Sequence, residues 1–128
     1  MTMTRVIAAA TLMVGLWAGS IQPADAQRDR DGQQRWINVV NNSRVTIREF
    51  YMTDVDTRGW GDDRLGDKVI EPGDGLRIMP TRRQREREYC RFDMLVVFSN
   101  DARVERRGVN LCVTSDLVCS NTSSCSAR

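Results

Sequence analysis

Six aspartates, Asp54, Asp56, Asp62, Asp63, Asp67 and Asp74, crowd a short stretch of this chain. Closely spaced carboxylates are the hard oxygen ligands that Ca²⁺ takes. Asp54, Asp56, Asp62 and Asp63 are therefore the calcium candidates, and the same groups are the raw material for a small calcium-dependent hydrolase or lyase. Their spacing is not that of an EF-hand loop. Arg58 and Arg64 stand among them, so the preferred reading is a solvated loop whose aspartates cap turns and pair with arginine, with no metal assigned. Trp60 sits in the same loop between Gly59 and Gly61. It either folds back to close the end of a core or offers a large rigid ring to a partner. Trp60, Asp62 and Asp63 are binding candidates on the second reading.

The run Arg82-Arg83-Gln84-Arg85-Glu86-Arg87-Glu88 is the other concentration of charge. Guanidinium groups at this density suit a phosphate- or sulfate-rich surface, which makes Arg82, Arg83 and Arg85 binding candidates. Glu86 and Glu88 weaken that field. Only Tyr89 is at hand for stacking, and the net charge is +2, so nucleic acid is not an expected partner. Asp93 stands in an apolar strand pattern and needs a counter-charge if buried, with Arg48 or Arg106 to supply it.

Several chemistries lack their residues. The chain has no His, which removes the commonest general base and metal ligand. It has no Gly-x-Ser-x-Gly, no Cys-x-x-Cys and no Gly-rich phosphate loop leading into a helical pattern. No cofactor is called for, and the chain does not read as an enzyme.

The first 26 residues read as an address. One arginine, Arg5, precedes an apolar stretch of about 14 residues, where a membrane span needs roughly 20. Ala24-Asp25-Ala26 then matches the small-x-small cleavage pattern. Residues 1–26 are thus expected to be a signal peptide cleaved after Ala26, with no membrane anchor left behind. Cys90, Cys112, Cys119 and Cys125 all lie beyond that point. An even number of Cys in a short exported chain reads as disulfides. Four Cys permit three pairings, of which Cys90–Cys112 and Cys119–Cys125 is favoured. Lys68 is the only Lys against a crowd of Arg, a bias that suggests a bacterial source.

The elements that must hold these residues are short strands. Residues 27–35 read as a flexible polar arm, residues 36–114 as the folded domain and residues 115–128 as a Ser/Cys-rich tail. Residues 36–40 and 45–52 are β-branched runs split by the turn cluster Asn41-Asn42-Ser43, which suggests a hairpin. The apolar phase slips between Arg48 and Glu49, as at a β-bulge. Short strands follow at 69–70 and 76–79, around the turn Pro72-Gly73. Residues 81–88 read as a charged loop. In residues 90–99, Cys90, Phe92, Met94, Val96 and Phe98 alternate onto one face, which predicts a core strand. Residues 103–107 return along an edge, and 109–114 form the last strand. About seven short strands predict a small all-β fold, an antiparallel β-sandwich or partly open barrel, stabilised by disulfides.

These residues resemble a family of small exported bacterial proteins of unassigned function, common in alphaproteobacteria. The likeness runs through Asn38-Val39-Val40-Asn41, Trp60-Gly61-Asp62-Asp63-Arg64-Leu65-Gly66, Pro72-Gly73, Cys90-Arg91-Phe92-Asp93 and Val109-Asn110-Leu111-Cys112. The resemblance implies a β-sandwich without an assigned activity. A periplasmic or secreted binding module is the expected function, its partner an envelope or extracellular protein or an anionic surface. An envelope-structural or stress protein without a specific ligand is the alternative.

Overall fold

The computed structural model describes residues 28–128, so the expected signal peptide lies outside the described residues. Seven strands form: β1 (Ile37–Asn41), β2 (Ile47–Asp54), β3 (Gly75–Ile78), β4 (Arg91–Phe98), β5 (Arg103–Asn110), β6 (Asp116–Asn121) and β7 (Ser124–Ala127). One sheet has the order β3-β1-β6-β7 and the other β2-β4-β5. The two pack face to face without closing into a barrel. Ile37 and Val39 of β1, Phe50 and Met52 of β2, and Phe92, Met94, Val96 and Phe98 of β4 meet between the sheets. The alternation expected of β4 therefore faces the core.

The bulge expected in β2 is present, as a register shift between Ile47 and Glu49. The expected hairpin of the first two strands is not. Asn41 is fully buried; its amide Nδ2 donates to the carbonyls of Val45 and Ile70, and its Oδ1 accepts from the amide and hydroxyl of Ser43. Those bonds carry the chain across the sandwich, so β1 and β2 lie in different sheets and β2 pairs with β4. The sheet is also not wholly antiparallel, because β1 runs parallel to β6.

Both flanks of the expected domain belong to the fold. Residues 115–128 are not a tail: β6 lies beside β1, and β7 completes the edge. Leu117, Cys119 and Cys125 are core residues. Ser and Asn at the alternate positions hid this pattern, because an edge hairpin can expose one whole face. The strand expected at 109–114 is divided between the end of β5 and a turn, and that at 69–70 is a single bridge from Ile70 to Ile47. Both disulfides have the favoured pairing, Cys90–Cys112 and Cys119–Cys125.

Residues 28–35 are folded rather than a loose arm. Asp29 and Gln33 share a backbone hydrogen bond, and Arg28 bridges Gln34. Arg35 is fully buried. Its Nη1 donates to Asp29 at 3.0 Å and to Asp31 at 2.9 Å, its Nη2 donates to Asp31 at 2.6 Å, and its Nε donates to the carbonyl of Tyr89. A charge out of water must be paired and saturated with hydrogen bonds, and the N-terminal hairpin folds to supply the carboxylates.

Hydrogen bonding from Arg35 lowers the Asp31 pKa from 3.8 to about 2, against an opposing desolvation. A carboxyl whose pKa falls on folding stabilises the native state above its unfolded pKa. That contribution is lost as the pH drops through the window from 3.8 to about 2. Asp31→Asn is expected to flatten the acid limb of the melting temperature in that window and to lower stability at neutral pH. Thermal unfolding followed from about pH 6 to about pH 2, across the carboxyl titrations, checks this.

Candidate functional site

Residues 81–88 are not the expected open loop. Thr81 caps a short helix, α1 (Arg82–Glu86). Its hydroxyl accepts from the Gln84 amide, and the Gln84 side chain accepts from the Thr81 amide. This reciprocal pair is a capping box. The signal was in the sequence as Thr-x-x-Gln after Pro80, hidden by the density of charge. At the other end Tyr89 N–H donates to the Gln84 carbonyl and Glu88 N–H to that of Arg85. These are the two bonds of a Schellman stop.

The stop places Glu88 in the left-handed region, at φ 60°, where a Cβ is unfavourable. Glu88→Gly relieves this and is expected to stabilise the fold by about 0.5–1 kcal/mol. Urea unfolding of the variant reads the gain directly.

α1 separates two hollows. One, of about 220 Å³, is lined by Asp54, Thr57, Thr81, Arg83, Gln84, Arg87 and Tyr89. The other, of about 340 Å³, includes Arg28, Arg30, Arg82, Arg85 and Glu86. The three basic candidates part company here. Arg82 pairs with Glu86 at 2.7 Å, Arg85 lies 3.6 Å from Asp29, and Arg83 points to the first hollow.

The aspartates do not gather. Asp54 is buried, and its carboxylate accepts from the Thr57 hydroxyl, the Asp56 amide and the Gln84 side chain. Burial opposes its ionisation, but these donors prevail and its pKa is lowered. Asp56 accepts from the Tyr89 hydroxyl, and that bond raises the phenol pKa. Asp63 Oδ1 accepts from the amides of Phe50 and Leu65. It thereby fills the open edge of β2, a structural task that a sheet edge demands. Asp62 is exposed. Among the described residues, no three His, Cys, Asp or Glu side chains are placed to hold a metal ion.

Trp60 lies away from the core. The outer face of the three-stranded sheet carries Thr53 and Asp93, which are register partners on β2 and β4. Trp60 shares a shallow hollow of about 80 Å³ with them, Thr57, Gly59 and Arg107. The Arg107 guanidinium stands 5.3 Å from the ring centroid. Gly59 and Gly61 on either side adopt φ 80° and 70°, which sets the ring out from the loop. The ring is half-buried and is not part of the inter-sheet cluster, so it does not close the end of the core.

Asp93 is held by Arg107 and not by either expected arginine. Neither Arg48 nor Arg106 reaches it: Arg48 pairs with Asp101, while Arg107 lies 3.3 Å from Asp93 and Gly108 N–H donates to it at 2.9 Å. The register shift between Phe92 and Met94 explains the change. One extra residue in β5 moves the alternation along by one and brings Arg107 to the outer face.

A scan against protein-family models, a search of curated proteins and a search of solved structures found no match to this chain. The two disulfides fit an oxidising environment. No helix among the described residues is long and apolar enough to cross a membrane.

Proposed function

We propose that this protein is a small non-catalytic binding module, periplasmic or secreted by a bacterium, that contacts an envelope or extracellular partner through Trp60. One observation carries the reading. A large ring is set on a sheet face, outside the core, between two left-handed glycines and beside Arg107 and Asp93. Aromatic and arginine side chains dominate the energetics of protein contacts because they offer large rigid area with hydrogen-bonding capacity. A core-closing Trp would instead be packed into the inter-sheet cluster. The calcium-dependent hydrolase reading is not adopted, since both Asp54 oxygens and Asp63 Oδ1 already accept from local donors.

Crosslinking capture from the envelope fraction of the source bacterium tests this, with oxidised wild type beside Trp60→Ala. A saturable partner held by the wild type and lost by the folded variant is the expected result. Equal capture by both removes Trp60 from the contact. Capture of nothing specific favours an envelope-structural role without a ligand.

A further inference from the structure

Arg83 and Arg87 stand four residues apart on the α1 turn and line the same hollow. At that spacing two side chains share a helix face, and like charges repel by a few tenths of a kcal/mol. Their neighbours are neutralised: Arg82 by Glu86, Arg85 by Asp29 and Arg35 by Asp29 and Asp31. Neither the Arg83 nor the Arg87 guanidinium makes a hydrogen bond or ion pair with a described residue. Both residues are exposed. Two forks without a direct ion-pair partner thus line one polar hollow, next to the Thr81 hydroxyl, whose oxygen accepts from Gln84 and whose proton is not engaged by a described residue; the carboxylates at this hollow are Asp54 in its wall and Asp56 behind the Tyr89 hydroxyl.

We infer that this hollow binds a phosphate or sulfate monoester, with its terminal oxygens clamped between Arg83 and Arg87 and one of them accepting from Thr81. The planar guanidinium fork matches such oxygens bidentately. A space of about 220 Å³ takes the anion and part of the group that bears it. Asp54 lies at the inner wall and repels an anion, but it is 5% exposed and its oxygens are bonded to Thr57, Asp56 and Gln84. Its charge sets a ceiling on affinity and gives the proposal a signed control. This site is separate from the Trp60 contact.

Calorimetric titration of the oxidised protein with inorganic phosphate and with glucose 1-phosphate tests the inference, together with sedimentation with phosphatidylcholine vesicles carrying phosphatidic acid. Saturable one-to-one binding of at least one probe is expected. Each of Arg83→Gln and Arg87→Gln weakens it roughly tenfold, the value of one charge-assisted hydrogen bond. Asp54→Asn tightens it. Binding by the vesicles alone assigns the anion to a lipid headgroup; binding by the soluble probes alone assigns it to a free phosphate or phosphosugar. The inference is overturned if none of the probes binds. It is also overturned if the double variant Arg83→Gln/Arg87→Gln, with an unchanged melting profile, binds as the wild type does.

Discussion

Arg35→Met lowers the stability of the fold by about 3–5 kcal/mol, the usual cost of breaking a buried ion pair from one side. Arg35 is fully buried and joins three parts of the chain: Asp29 and Asp31 of the N-terminal hairpin, the Tyr89 carbonyl after α1, and the Cys90 sulfur 3.8 Å away. Met fills much the same volume, so the loss is not mainly a cavity. It comes from two carboxylates and a carbonyl left without their donor. Domains of this size have net stabilities of about 5–15 kcal/mol, so the loss is a large fraction of the total. Urea unfolding followed by tryptophan fluorescence measures the difference. A loss under about 1 kcal/mol would place Arg35 with surface pairs instead.

Loss of the Cys90–Cys112 disulfide costs roughly 3 kcal/mol on the chain-entropy account, given a sequence separation of 22. The Cys119–Cys125 bond closes a shorter loop, with a separation of 6, and is worth about 2 kcal/mol on the same account. Cys90→Ala/Cys112→Ala is therefore expected to lower stability more than Cys119→Ala/Cys125→Ala. Serine would not read that order at the second pair. Cys119 and Cys125 face the inter-sheet core, and two buried hydroxyls would add their own desolvation cost. Alanine at all four positions removes that complication and leaves the loop-length order to be read by denaturant unfolding.

The fold was largely legible where alternation was strict. The core face of β4 and the bulge in β2 follow from the phase of apolar residues. So does the polar edge strand β5. Legibility failed where polar side chains do structural work. Asn41 and Ser43 look like hairpin residues, and only their bonds to Val45 and Ile70 turn them into an arch between sheets. Arg35 looks like the end of a polar arm, because no local pattern tells a guanidinium that Asp29 and Asp31 will enclose it. The last two strands carry Ser and Asn on their exposed faces and lack apolar alternation over enough residues to stand out.

The candidate site was legible in composition and not in geometry. Trp60 between two glycines leaves two readings open, a lid folded over the core or a ring offered to a partner, and the structure keeps the ring out of the inter-sheet cluster. Asp63 looks equivalent to its neighbour Asp62 in the sequence, yet its carboxylate closes the edge of β2. Arg82, Arg83 and Arg85 look equivalent in a basic run. The helical turn of α1 sorts them, sending Arg82 to Glu86 and Arg83 to a different hollow. Arg87, which the run also contains, stands beside Arg83 only because of that turn.

The core, the Arg35 cluster and the two disulfides hold this sandwich, and Trp60 stands outside them. Equilibrium urea unfolding of Trp60→Ala tests this most directly. The expected loss is about 1 kcal/mol or less, the scale of a cation–π pair at a ring outside the core, with the denaturant slope unchanged. A loss of about 3–5 kcal/mol, the cost of truncating a core aromatic, would instead make Trp60 part of what holds the fold together.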